Sequence, residues 1–238
     1  MGGGQLARMF VHAAQAMGYA TAVLDPDPDS PAGRVSHQHV CAAYDDEVGL
    51  AQLATHCAAI TTEFENVPAP SLAWLGARRP VAPGAAAVAI CQQRDAEKAH
   101  FGQCGVKVAP YALIAADGDV QAVDPALFPA ILKTTRLGYD GKGQQAVATP
   151  DALAQAWARL RQVPCVLEKR LPLRHEISVI VARAADGAWV HLPVQQNLHR
   201  DGILALTEAP APDLPPALAT LAVEQAARLA ASMDYVGV

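Results

Sequence analysis

Gly138-Tyr139-Asp140-Gly141-Lys142-Gly143-Gln144 sets three glycines and a lysine close together, and Lys133 stands upstream in an apolar segment. Glycines at that spacing leave backbone N–H groups free to fold over phosphate oxygens, and the two lysines supply point charges. The segment also reads as a β-hairpin turned on Asp140-Gly141, and the two readings are compatible. A Walker A loop is excluded, because G-x-x-x-x-G-K-[ST] occurs nowhere in the chain. A protein-kinase arrangement is excluded too, since the glycine loop follows the lysine instead of preceding it.

Other residues carry weaker signals. Gly2-Gly3-Gly4-Gln5-Leu6-Ala7 fits G-x-G-x-x-G/A, with Asp25 at the place of a ribose-binding acid. The dinucleotide reading needs a strand ahead of the glycines, and none precedes them; the remaining reading is a tight turn that offers helix N-terminal N–H groups to an anion. Thr62-Glu63-Phe64-Glu65-Asn66 puts two acids at the carboxyl end of a strand, where open α/β sheets bind ligands. Glu168 ends one strand and Glu176 opens another, flanking Arg170-Leu171-Pro172-Leu173-Arg174. Backbone groups of such a connection can hold a base, and a carboxylate can accept from ribose hydroxyls; the alternative is a solvated charge cluster. His199 lies in Gln196-Asn197-Leu198-His199-Arg200-Asp201-Gly202, read as a polar turn within reach of a ligand. His37 and His39 share a strand face, and His12, His56, His100, His175 and His191 lack metal-ligand spacing, so these seven read as structural or surface residues.

The elements that must position these groups alternate in the first half. Residues 5–17 form a helix on the spacing of Leu6, Met9, Phe10, Ala13 and Met17, closed by Gly18. Strands are expected at 20–24, 40–43 and 58–64, with a helix at 46–57, which implies a parallel, doubly wound sheet. The Pro-rich residues 67–70 and the Arg78-Arg79-Pro80 turn lead into an alanine-rich helical region, residues 84–103. Beyond it, strands are expected at 110–114, 129–134, 144–148, 165–169, 177–183 and 189–194, with a helix starting at Thr149-Pro150-Asp151 and running to about 162. That half reads as antiparallel-rich α+β. A final helix is marked by Leu218, Leu221, Ala222, Leu229 and Met233, and Tyr235-Val236-Gly237-Val238 reads as a strand only begun.

Composition narrows the classes further. The 238 residues are 52% hydrophobic and 17% charged, enough for a full core and too apolar for a disordered chain. Mean hydropathy is +0.14, mostly from alanine, and no apolar run approaches the ~18 residues of a membrane span. A net charge of −5 without a basic face argues against nucleic acid as a partner. Five scattered cysteines (Cys41, Cys57, Cys91, Cys104, Cys165) without a C-x-x-C pair indicate neither a disulfide framework nor a zinc ribbon, and point with the missing signal peptide to the cytoplasm.

Taken in order, Gly2-Gly3-Gly4-Gln5-Leu6, Thr62-Glu63-Phe64-Glu65-Asn66, Ile131-Leu132-Lys133, Gly138-Tyr139-Asp140-Gly141-Lys142-Gly143-Gln144, Glu176-Ile177-Ser178 and Asn197-Leu198-His199-Arg200-Asp201-Gly202-Ile203-Leu204 resemble the 5-(carboxyamino)imidazole ribonucleotide synthases. These are ATP-grasp ligases of purine (IMP) synthesis that carboxylate aminoimidazole ribonucleotide with ATP and bicarbonate. The resemblance implies an α/β protein: a Rossmann-like pre-ATP-grasp domain over residues 1–90, then an α+β ATP-grasp domain over residues 91–238. Formate-dependent glycinamide ribonucleotide transformylase is the nearest alternative ligase, and the Tyr139-Asp140-Gly141-Lys142-Gly143 loop argues against it. A non-catalytic nucleotide-binding module is the alternative from another class.

The resemblance also implies roles. Arg94, Lys133, the loop Gly138, Tyr139, Asp140, Gly141, Lys142, Gly143 and Gln144, the segment Glu168, Lys169, Arg170 and Leu171, and then Glu176 and His199 are expected to hold ATP. Lys133 would contact the phosphates and Glu176 the ribose. Gln5, Leu6, Glu63 and Glu65 are expected at the imidazole ribonucleotide, and Asp140 and Lys142 at the reacting amine and bicarbonate. The implied route is phosphorylation of bicarbonate to carboxyphosphate, then capture of the carboxyl group by the exocyclic amine, with electrostatic stabilisation of the phosphoryl group as the main demand. Mg2+ is implied with ATP, and a homodimer is implied as the assembly. The family's metal-binding acids follow the Y-V-G-V strand, so they are expected beyond Val238. The chain is thus expected to lack its first strand and its C-terminal part, and to be an inactive fragment.

Overall fold

The computed structural model describes residues 1–138, 143–200 and 203–238. The chain divides into two compact units, Met1–Cys91 with Met233–Gly237, and Gln92–Ser232 with Val238.

The first unit runs α1 (Gln5–Ala16), β1 (Ala22–Leu24), β2 (Gln38–Val40), α2 (Glu47–His56), β3 (Ile60–Thr61), α3 (Ala69–Gly76), β4 (Val81–Ala82) and α4 (Ala85–Cys91). Its strands pair in parallel, β1 with β2 and β3 with β4. The backbone of Met1 donates to Thr61 O at 2.6 Å and that of Gly2 to Leu24 O at 3.2 Å, so the first residues lie between β1 and β3. The core gathers Leu24, Val40, Leu50, Leu53, Val67, Leu72 and Leu75. Burying each leucine contributes about 2 kcal/mol relative to leaving it in water. Helix α2 starts where Asp46 accepts from the Gly49 N–H at 2.6 Å, an N-cap that satisfies one orphan donor.

The second unit runs α5 (Arg94–Gln103), β5 (Tyr111–Ile114), α6 (Asp117–Ala122), β6 (Ala130–Thr134), β7 (Gln144–Val147), α7 (Leu153–Arg159), β8 (Cys165–Lys169), β9 (Glu176–Ser178), β10 (Val181–Arg183), β11 (Trp189–His191), β12 (Gln195–Arg200), β13 (Ile203–Glu208) and α8 (Pro216–Ser232). One antiparallel sheet has the order β5-β8-β6-β7, a second the order β13-β12-β9, and β10 pairs with β11. Alternation with period two sorts the first sheet. Ile114, Ala130, Leu132, Cys165 and Leu167 pack with Leu153, Ala156 and Trp157 of α7. Ile131, Lys133 and Glu168 fall on the other face.

Several sequence expectations shift. Helix α1 forms as expected, yet it buries Ala7 and Val11 against Val23 and Ala32. Leu6, Met9, Phe10 and Met17, the residues whose spacing marked the helix, are 65%, 66%, 53% and 74% exposed on its other faces. The expected 40–43 strand is Gln38–Val40, and the expected 58–64 strand shortens to Ile60–Thr61. The Pro-rich segment contains helix α3, because Pro70 sits in its first turn, where a missing N–H costs nothing. The alanine-rich region is two helices: the Arg94 N–H donates to Thr135 O at 3.0 Å, which starts α5 afresh. The expected 177–183 strand splits between β9 and β10, which join different sheets. The strand expected at 189–194 ends at His191 in β11. The segment read as a polar turn around His199 is strand through Arg200. The expected 149–162 helix is a 3-10 turn, Pro150–Ala152, followed by α7. Where a strand was expected over 235–238, an isolated bridge at Gly237 stands.

Candidate functional site

In the second unit, charge collects on the sheet face opposite the core. Lys133 pairs with Val166 across β6 and β8, and Glu168 pairs with Ile131, so the two long side chains are diagonal neighbours on one face. Lys133 Nζ donates to Glu168 Oε2, and Lys98 Nζ from α5 donates to Glu168 Oε1. The three side chains are 26%, 12% and 15% exposed for Lys133, Lys98 and Glu168. Burial would raise the Glu168 carboxyl, but hydrogen bonds from Lys133 and Lys98 outweigh it and hold Glu168 below the ordinary carboxylate range. Glu97, one residue before Lys98, moves the other way: burial raises it, against the opposing charges of Arg94 and Lys98. Arg94 turns its guanidinium onto backbone, donating from Nε to Thr134 O at 3.0 Å and from Nη2 to Gly138 O at 3.1 Å.

Strand β6 ends at Thr134 and β7 begins at Gln144. The Thr134 N–H donates to Gly143 O at 2.9 Å, and Gln144 pairs with Lys133. Gly143 has φ +71°, and a Cβ there would lie 2.7 Å from Thr134 Oγ1, so only glycine fits. Tyr139, Asp140, Gly141 and Lys142, named above as loop and reacting-centre residues, lie outside the described residues, as do Asp201 and Gly202.

Past Glu168, the Lys169 N–H donates to Pro110 O and the Arg170 N–H to Pro129 O, both at 2.9 Å, which fixes the backbone of this connection. Leu171 is 42% exposed. Farther on, Glu176 in β9 and His199 in β12 meet: Nδ1 of His199 lies 2.5 Å from Glu176 Oε2. They line a cleft of about 440 Å³ with Arg174, His175, Asn197 and Glu208. The first sheet and α5 thus supply cations, and the second sheet an imidazole–carboxylate pair.

In the first unit, the glycine turn is pressed between two strand ends. A Cβ on Gly3 would lie 2.6 Å from Ser30 Cβ and 2.7 Å from Asp25 Cγ; on Gly2 it would lie 2.9 Å from Phe64 Cβ. Glu63 accepts the Ala7 N–H at the start of α1; burial raises its carboxyl, and that hydrogen bond opposes the rise. Gln5 and Leu6 stand exposed in the first turn of α1, and Glu65 accepts from Asn66 Nδ2 at 3.2 Å. Glu63 is therefore the acid brought to the glycine turn. Asp25 is not free for a ribose: it is buried, its Oδ2 accepts from Tyr44 Oη at 2.5 Å and its Oδ1 from the Asp27 N–H at 2.9 Å. This removes the support for a dinucleotide site.

Sequence reasoning missed Lys98, Glu97 and Tyr44. The signal for the first two was the spacing of Arg94, Glu97 and Lys98, three and four residues apart and so on one helix face. Among the described residues no group of three or more His, Cys, Asp or Glu side chains forms a place for a metal ion. No described helix is long and apolar enough to cross a membrane.

Residues 1–92 match the family described as the ribonucleotide synthetase preATP-grasp domain, and residues 99–238 match the ATP-grasp domain. An N5-carboxyaminoimidazole ribonucleotide synthase of Pseudomonas aeruginosa is 39% identical over 239 residues, covering 100% of this chain and 65% of that protein. A crystal structure of the ADP complex of an N5-carboxyaminoimidazole ribonucleotide synthetase matches with TM-score 0.92 at 36% identity, over 99% of this chain and 62% of that one. The Aspergillus clavatus N5-carboxyaminoimidazole synthase, in complex with ADP and 5-aminoimidazole ribonucleotide, matches with TM-score 0.87 at 27% identity, over 100% of this chain and 62% of that one. The chain therefore spans less than two thirds of the length of these relatives. With a pre-ATP-grasp domain leading into antiparallel sheets that carry a lysine–carboxylate cluster, the chain belongs to the ATP-grasp family.

Proposed function

We propose that this chain carries the nucleotide-binding part of an ATP-dependent carboxylase, which converts 5-aminoimidazole ribonucleotide and bicarbonate to N5-carboxyaminoimidazole ribonucleotide, ADP and phosphate in purine synthesis. The observation that carries the reading is the Lys133–Glu168–Lys98 cluster on the open face of the first sheet, two cations held by one carboxylate. A triphosphate meets there a net positive site, fixed in place before the ligand arrives. Arg94 clamps the base of the 138–144 segment, whose backbone N–H groups are assigned to the phosphates. Backbone groups of the connection Glu168 to Leu171 take the base, and Glu176 with His199 takes the ribose hydroxyls. Gln5, Leu6, Glu63 and Glu65 receive the imidazole ribonucleotide, and Asp140 and Lys142 stand at the amine and bicarbonate.

In this reading a bicarbonate oxygen attacks the γ-phosphorus and ADP leaves. The exocyclic amine then attacks the carbonyl carbon of carboxyphosphate, and phosphate departs. The work of this chain's residues is to orient and to neutralise charge. Magnesium enters with the triphosphate as part of the substrate. The functional division lies at residues 1–90 and 91–238, the assembly is a homodimer, and the compartment is the cytoplasm.

The test is phosphate release from Mg-ATP with and without aminoimidazole ribonucleotide and bicarbonate. Release that needs both supports carboxylation. Release that needs neither, or formate-dependent release with glycinamide ribonucleotide, would refute it.

A further inference from the structure

Glu168 presents a problem for a phosphate site. One ionised carboxylate beside Lys133 would cancel the charge that a phosphate needs, and it would compete with the phosphate for the same ammonium group. The structure resolves this with a second cation from another element. Lys98, one helical turn past Arg94 on α5, donates to the Glu168 oxygen that Lys133 leaves free. Lys98 is the most enclosed of the three side chains at 12% exposure, and Lys133 the most open at 26%. Its ammonium lies 5.3 Å from the centre of the Tyr111 ring, and Tyr111 is the direct β5 partner of Glu168 in β8. Lys98 is thus held on the inner side of the carboxylate by a ring and an ion pair, and Lys133 on the outer side.

We infer that Lys98 is a positioning residue of the nucleotide site, which neutralises Glu168 so that Lys133 keeps an uncompensated positive charge for a phosphate. This rests on the nucleotide reading above. With Lys98 present, Arg94, Lys98 and Lys133 carry three positive charges against the two negative charges of Glu97 and Glu168, and without Lys98 that excess is gone. Without it, Glu168 and Lys133 form a neutral pair. Removing Lys98 therefore weakens phosphate binding although Lys98 itself touches no phosphate, and removing the Glu168 charge as well restores it. A role limited to fold stability predicts no such restoration.

The experiment is calorimetric titration of the 238-residue chain with ADP and, separately, with adenosine. Lys98→Met is expected to weaken ADP about tenfold and to leave adenosine unchanged, while Lys98→Arg binds ADP as the parent does. The double variant Lys98→Met/Glu168→Gln is expected to recover most of the lost affinity. Should Lys98→Met lose its cooperative melt, Lys98→Gln takes its place in the same comparison. Unchanged ADP affinity in the single variant, an equal loss for adenosine, or no recovery in the double variant would overturn the assignment of Lys98 alone. Failure of the parent chain to bind ADP at all would overturn the nucleotide reading and this inference with it.

Discussion

His199 Nδ1 lies 2.5 Å from Glu176 Oε2, joining β12 to β9 through side chains as well as backbone. The pairing of Asn197 with Glu176 places His199 two residues farther along the same face. Both side chains remain partly open, at 37% and 43% exposure, so solvent screens the pair. A double-mutant cycle with Glu176→Ala and His199→Ala is expected to give a coupling in stability below about 1 kcal/mol. On ADP affinity each single change is expected to cost about tenfold. Strong coupling in melting with no effect on ADP would assign the pair to the fold instead.

The charge on Glu168 makes stability depend on pH in a stated direction. Its carboxyl is held below its unfolded value, so its contribution is present above the unfolded carboxylate range and is lost as pH falls through the lowered folded value. Glu168→Gln leaves two lysines facing each other and is expected to cost roughly 3 kcal/mol near neutral pH. Urea melts from neutral pH down to acid should show the difference from the parent shrinking through the acid limb.

Glu97 should behave in the opposite sense. Burial raises its carboxyl above the unfolded value, so its contribution is fully present below the unfolded value and is lost as pH rises through the folded one. Glu97→Gln is therefore expected to raise the melting temperature near neutral pH by about 2 °C, the scale of somewhat under 1 kcal/mol in a chain of this size. In mild acid the two proteins should melt together, and a variant that melts lower at neutral pH would contradict the burial argument.

Arg94 ties the start of α5 to the end of β6 through Thr134 O and to Gly138 O beyond it. Lysine carries its donors on one nitrogen, so Arg94→Lys does not reproduce the arrangement in which Nε and Nη2 each take one carbonyl. Urea melts are expected to show a loss of about 2 kcal/mol in Arg94→Ala and nearly as much in Arg94→Lys. Equal melting of all three proteins would show that these two bonds do not secure α5 to the end of β6.

Gly3→Ala tests the close approach at the first turn. The new Cβ would meet Ser30 Cβ at 2.6 Å and Asp25 Cβ at 2.8 Å, both short rigid positions next to backbone. A loss of about 2–3 kcal/mol is expected. Gly84→Ala meets nothing within 4 Å and serves as the matched control. Equal melting of the two variants would contradict the packing described for Gly3.

The sequence by itself determined what is local. Cap and period rules located α2 and β8, the antiparallel character of the second half, and the glycine segment next to Lys133, because those signals lie within one turn or one pleat. It also singled out Lys133, Glu168, Glu176 and His199 as separate residues. Only the tertiary structure decided how they combine. Strand register puts Lys133 and Glu168 diagonal to each other across 35 residues of chain, and the placement of α5 brings Lys98 to Glu168 across 70. The same non-local packing turned α1 onto Ala7 and Val11 instead of its larger apolar residues, and gave the Asp25 carboxylate to Tyr44 instead of leaving it for a ligand. Local spacing fixes which side chains share a face; which faces meet is set by pairing and burial between distant segments, and a single sequence does not display those contacts.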